Sequence, residues 1–284
     1  MTPNEGQAAR TWARFRRKPA AITGLAVVLL VALGAIFAGL IAPFPSHVGS
    51  VVDFANANQP PHLPYLCGTD LVGRDLFSRL LFAYRLSLLL GVVVLAIAVP
   101  IGVGIGLVAG YTGGWVEFAL LRLTDVFLSV PPLVLAMSIM GFLAPTLVNG
   151  MLAVTVMWWP WYTRLTFAMT RAERSEGYVL AAEVVGASTT HILLREILPN
   201  CLPAILTKMT LDFGFVILIA SSLSFLGLGV QPPTPDLGSM VADGANYLPD
   251  SWWLTVFPAL AILVVVLGFN LLGDGLRESL EDGQ

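Results

Sequence analysis

Residues Tyr178 to Pro199 read YVLAAEVVGASTTHILLREILP, the longest charge-bearing interval inside an otherwise apolar chain. Tyr178, Ala181, Ala182 and Val185 recur at i, i+3, i+4 and i+7, the period of one helix face. Gly186 stands where a left-handed C-cap would stop that helix. Ser188 or Thr189 can cap a second short helix with Ile192, Leu193 and Ile197 on one face, and Pro199 marks its end or a kink. The stretch predicts two short helices at an angle, held between two membrane spans and offering a small apolar face, ringed by charges, to something outside the bilayer.

The membrane setting follows from composition. Of 284 residues, 56% are hydrophobic and 12% charged, and the mean hydropathy is +0.81; soluble domains carry about 25% charged residues. The net charge of −3 says little about partners, because in a membrane protein the placement of Lys and Arg matters more than their sum.

Placement gives a topology. The basic segment 1–19, with Arg10, Arg14, Arg16, Arg17 and Lys18 between Trp12 and Phe15, suits a cytoplasmic, anionic lipid surface. Residues 20–42 are too long for a signal-peptide core and lack a cleavage site, so they form the first span. Residues 43–84 form a Pro-rich external loop, and 85–277 hold a core of five further spans. These are Leu86 to Ala109, Glu117 to Met140 with a bend at Pro131-Pro132, Met151 to Met169, Pro203 to Leu228 and Trp252 to Leu272. A short helix is expected over Leu237 to Tyr247 on the outer face. The loop 171–200 and the tail 278–284 are cytoplasmic on this count. Among fifteen Lys and Arg residues, only Arg74, Arg79 and Arg85 fall outside, as the positive-inside rule asks. The expected fold class is an all-α membrane protein of six transmembrane helices with both termini cytoplasmic. Cys67 and Cys201 then lie on opposite sides and cannot pair.

Several chemistries find no residues to perform them. Lys18 and Lys208 are the only lysines and neither follows a glycine, so no phosphate-binding loop can be written and the chain is not expected to hydrolyse ATP. His47, His62 and His191 lack metal-ligand spacing, and no nucleophile elbow or HExxH motif occurs. Arg122, Asp125, Arg164, Lys208 and Asp212 fall within spans, toward their cytoplasmic ends, at spacings that allow local pairing. A self-contained coupled carrier would keep carboxylates or histidines near the midplane, and none is expected there. No cofactor, metal or nucleic-acid partner is anticipated.

Four stretches carry a family resemblance. Ala181-Ala182, three residues, Gly186 and then Ile197-Leu198-Pro199 resembles the cytoplasmic EAA loop of ABC importer permeases, with Leu180 where the motif's acid stands and Glu183 the nearest carboxylate. Gly68 to Arg79 is similar to the GTDxxGRDxFSR segment of the dipeptide, oligopeptide and nickel importer group. Ser224 to Asp236, SFLGLGVQPPTPD, is similar to that group's SFLGLGxQPPxPxWG segment, with Leu237 replacing Trp. Leu267 to Arg277, LGFNLLGDGLR, is similar to its C-terminal segment.

The resemblance implies a type I ABC importer permease fold in a bacterial plasma (inner) membrane, the C-type subunit of its transporter. It implies a second homologous permease, two ATPase subunits that use ATP and Mg, and an extracytoplasmic substrate-binding protein. Tyr178, Leu180, Ala181, Ala182, Glu183, Gly186, Ala187, Ser188, Leu198 and Pro199 would form the ATPase-docking loop. Asp70, Gly73, Arg74, Asp75, Gln231, Pro232, Pro233 and Asp236 would build the external loops or contact the binding protein, with Asp70, Arg74 and Asp75 pairing charges around a turn at Gly73. The solute would be a peptide or similar small molecule. Six spans alone also permit a self-sufficient secondary transporter or channel.

Overall fold

The computed structural model describes residues 12–281, so Arg10 and the outer parts of both termini lie outside the described residues. The elements are α1 (Pro19–Ile36, continued by a turn of helix at Ala38–Ile41), α2 (Leu76–Thr112), α3 (Gly114–Leu128), α4 (Pro132–Phe142), α5 (Leu147–Glu173), α6 (Gly177–Val184), α7 (Thr189–Phe225), α8 (Leu237–Ala245) and α9 (Trp253–Glu281). Among the described residues the only β feature is an isolated bridge between Thr69 and Asp75.

α2 and α5 form the centre. Gly102, Gly106 and Gly110 recur every fourth residue and turn a bare ridge toward α5. A Cβ on Gly102 would lie 2.3 Å from the carbonyl oxygen of Trp159, and one on Gly106 2.7 Å from that of Thr163. Thr163 Oγ1 donates to the Gly102 carbonyl at 3.2 Å. Small residues are what membrane helices use to approach closely, because lipid gives apolar side chains no reason to leave it. α1 crosses α9 by the same device, where a Cβ on Gly275 would sit 2.2 Å from that of Ala21. Lys18 pairs with Glu278 at 2.7 Å and Arg14 donates to the Ser279 carbonyl, tying the start of the chain to its last helix.

The structure departs from the sequence reading at four places. Residues 76–84 are helix and not loop: Asp75 caps α2 by accepting from the Ser78 amide at 2.8 Å, eleven residues before the charge-free stretch begins. The break at Pro131-Pro132 turns the chain by 84° between α3 and α4, far more than a kink. α7 starts at Thr189, so the expected second short helix is the overhang of one 37-residue helix, and Pro199 neither ends nor interrupts it. A helix of that length runs about 55 Å, nearly twice the hydrocarbon core. Finally, among the described residues α1, α2, α7 and α9 are long and apolar enough to cross a membrane, and the bent α3–α4 pair adds a fifth if it is one broken span and not a re-entrant loop, whereas α5 fails on composition.

Two measurements test this architecture. Gly106→Val drives a branched side chain into the α5 backbone and should cost about 1–3 kcal/mol or more, seen as a lower unfolding midpoint in detergent; an unchanged midpoint would mean that the helices are not in this contact. The native cysteines are poor reporters of sidedness, since Cys201 is fully buried and burial, then Asp75, pushes the Cys67 thiol up to about 11. In a Cys67→Ser, Cys201→Ala background, an impermeant thiol reagent on spheroplasts should label Leu63→Cys at once and Val184→Cys only after lysis.

Candidate functional site

α6 stands between α5 and α7 on a turn built for one geometry. Gly186 has φ +79°, and its amide donates to the Glu183 carbonyl at 3.0 Å while Ala187 donates to that of Ala182 at 3.0 Å. Those two bonds are the Schellman pair that closes a helix through a left-handed residue. Ser188 then caps α7, its Oγ accepting from the His191 amide at 3.3 Å.

Which face points inward differs from the expected one. Val179 is fully buried, and Ala182 and Ala187 pack beside it against the central core, so Ala182 belongs to the fold and not to an outward face. Tyr178, Leu180, Ala181 and Val185 are exposed. The outermost side chains are Val184 and Val185, 89% and 83% exposed, and Val184 was outside the expected site. The signal for it was present: Gly177, Leu180, Ala181 and Val184 also recur at i, i+3, i+4 and i+7, a second face that periodicity alone ranks equally.

The polar residues of α6 hold it in place. Tyr178 donates to Glu173 at the end of α5 and accepts from Asn200 Nδ2 of α7 at 2.9 Å. Burial at this junction, then the Glu173 hydrogen bond, pushes the phenol up to about 12, so it stays a donor through the physiological range. Glu183 accepts from Tyr111 at the end of α2, 2.8 Å, and Arg174 lies over the same tyrosine ring. α6 is thus fastened to α2, α5 and α7. On α7, Leu198 is half-buried and Pro199 exposed, following a π-helical stretch at Ile192–Ile197 that carries the helix past the missing proline N–H.

At the opposite end of the bundle from α6, Asp70 organises the turn at Gly73. Its Oδ1 accepts from the amides of Val72 and Arg74, its Oδ2 from Arg74 Nε at 2.6 Å, and Arg79 Nε lies 3.6 Å away. Gly73, φ +83°, leaves no room for a Cβ against the Asp53 carbonyl. Asp75 is not part of that charge cluster; it is fully buried and serves the helix cap. Arg79 donates to the carbonyls of His47 and Pro233, joining this loop to the Pro232-Pro233 segment. Gln231 donates to the Gly227 and Gly229 carbonyls, and Asp236 caps α8 by accepting from the Ser239 amide at 3.1 Å. Burial pushes the Asp236 carboxyl up, opposed by its hydrogen bonds. These charges build the end of the molecule opposite α6.

Inside, Lys208 Nζ lies 3.0 Å from Asp212, whose other contact is Trp158 Nε1 at 3.0 Å. The Lys208–Asp212 pair is the local i,i+4 pairing that the spacing predicts, and the carboxylate is buried among its neighbours.

Residues 102–283 match the family described as binding-protein-dependent transport system inner membrane component, and residues 6–61 match the N-terminal TM domain of oligopeptide transport permease C. The chain is 41% identical over 267 residues to the probable D,D-dipeptide transport system permease protein of Escherichia coli (strain K12), covering 94% of this chain and 89% of that protein. It is 40% identical over 277 residues to the di/tripeptide transport system permease protein of Pseudomonas aeruginosa, with 95% and 90% covered. It is 40% identical over 270 residues to the glutathione transport system permease protein of an Escherichia coli O6 strain, with 95% and 88% covered. Among solved structures, the fold is similar to inward-facing conformations of the MetNI methionine ABC transporter, at TM-score 0.52 and 20% identity over 69% of this chain and 92% of that one. An amino acid ABC transporter matches at TM-score 0.54 and 16% identity, with 71% and 94% covered.

Because a Cβ at Gly186 would meet nothing within 4 Å, only its backbone conformation resists substitution. Gly186→Val should therefore cost about 1–2 kcal/mol of local stability, read as faster amide exchange over 182–191 with the rest of the chain unchanged.

Proposed function

The chain belongs to the binding-protein-dependent transport system inner membrane component family, and from that premise we propose that α6 is the docking element through which ATPase subunits drive it. It is a permease component of an ABC importer and not an enzyme in its own right. It would pair with a second related permease and accept a peptide or similar small solute from an external binding protein, while two ATPases consume ATP and Mg. In this reading α5 completes six spans, both termini are cytoplasmic, and the Asp70–Arg79 and Gln231–Asp236 segments face the binding protein.

One observation carries the docking role: a short helix with valines almost fully exposed at its tip is bonded at its base to three long helices. Exposed adjacent apolar residues at an end of the molecule ask for a partner surface. The bonds from Tyr178 and Glu183 supply the mechanics, because a displacement of α6 cannot occur without loading α2, α5 and α7. The solute stays a class, since relatives equally similar to this chain are named for dipeptides and for glutathione.

Val184→Arg removes apolar contact from a side chain that touches little of its own chain. Insertion and association with the second permease should be unchanged, while co-purifying ATPase falls at least about tenfold, a loss of 1.4 kcal/mol or more. Normal ATPase recovery and uptake in this variant would show that docking occurs elsewhere. Leu180→Glu, at an exposed position, should keep full uptake.

A further inference from the structure

Charged side chains inside a membrane protein face other protein or water, because lipid solvates them poorly. α5 exposes only a narrow stripe in its cytoplasmic half, running through Trp161, Arg164 and Ala168. The stripe continues onto its neighbours. Arg164 pairs with Asp125 of α3, which also lies 3.7 Å from Arg122, and Lys208 of α7 sits 6.0 Å from the Trp161 ring. Arg164, Asp125 and Arg122 are 42%, 36% and 68% exposed in their side chains.

The stripe is not a ring of interfacial anchors. A belt of charge at the helix ends is already formed by Glu117 and Arg171, which pair with each other. Arg164 lies seven residues deeper, about 10 Å, and Trp161 a further turn beyond it. Arg164 could snorkel toward that belt, as long cationic side chains do, yet its guanidinium is held sideways by Asp125. Elsewhere the exposed positions in the middle of the long helices are apolar, among them Leu30 of α1, Ile97 and Ile101 of α2 and Leu263 of α9, while exposed charges such as Arg85 of α2 and Asp274 of α9 stand toward the helix ends.

We infer that the stripe formed by Asp125, Trp161, Arg164 and Lys208 is the wall of a water-filled passage for polar solute, and that the exposed faces of α1 and α9 are the lipid-facing surface. This inference rests on the permease reading for what moves past the wall, and not for the wetting itself. An ion pair beside water can stay charged on both sides of a rearrangement, and Trp161 gives the wall an amphipathic face between Arg164 and Lys208.

Thiol chemistry separates water from lipid, since only a hydrated cysteine ionises to the reactive thiolate. In membranes containing the assembled transporter, with Cys67 and Cys201 replaced, single cysteines at Trp161, at Leu165 on the same side of α5 and at Leu30 would be treated with a cationic methanethiosulfonate. The cysteine of Trp161→Cys should react at least about tenfold faster than that of Leu30→Cys in a nucleotide-free or vanadate-trapped state. Leu165→Cys serves if Trp161→Cys does not assemble. Equal, slow reaction at all three in both states, in a complex with normal ATP-driven uptake, would overturn the wetted wall alone. Fast reaction at Trp161→Cys in a complex incapable of uptake would leave the wall standing and sink the transport reading.

Discussion

The contact between the glycine ridge of α2 and the threonine face of α5 sets the remaining geometry. Within a bilayer, apolar side chains gain little by meeting one another instead of lipid, so association depends on close approach and on interhelical hydrogen bonds. Gly102, Gly106 and Gly110 provide the first, and Thr163 bonding to the Gly102 carbonyl provides the second. With those backbones in contact, the end of α5 is brought beside the end of α2. That is why Arg174 reaches the ring of Tyr111, and why Tyr111 in turn reaches Glu183 on α6.

The candidate docking helix therefore has little freedom of its own. Its entry is set by Tyr178 between Glu173 and Asn200, its exit by the left-handed Gly186, and its inner face by Val179 and Ala182 against the core. What remains outward is apolar and small: Leu180, Ala181, Val184 and Val185. Rigidity at the base and apolar exposure at the tip together distinguish a lever from a loop.

Much of this was legible in the chain, and the failures have physical causes. Gly186 and Ser188 announced the turn because a left-handed cap and a helix start each favour few residues. The Asp70 turn was legible for the same reason, with Gly73 in the position that excludes a side chain. The inner face of α6 was not, because its apolar residues are spread around the helix and two faces fit the same period. The start of α7 was misplaced by Pro199 and Pro203, which a long helix accommodates near its N-terminal end and after a π-helical stretch. The match of Trp158 to Asp212 lies 54 residues apart in sequence, beyond any local pattern.

The helix that composition alone would leave out of the membrane is the one at the centre of the bundle. α5 carries Thr155, Thr163, Thr166 and Thr170, all buried, beside Trp158, Trp159 and Tyr162. A span needs an apolar exterior only where it meets lipid, and α5 is covered by α2 on one side and by α3, α4 and α7 on others. Two of its polar side chains bond to neighbours, Thr163 to the Gly102 carbonyl of α2 and Trp158 to Asp212 of α7, while Thr155 bonds back to the Met151 carbonyl of its own helix. Where cover is absent, the exposed residues are the apolar Val148 and Leu152 in its first half and Trp161, Arg164 and Ala168 in its second, the latter stretch suited to water and to charge. Low hydropathy in α5 is thus consistent with a sixth span enclosed by protein and facing a passage.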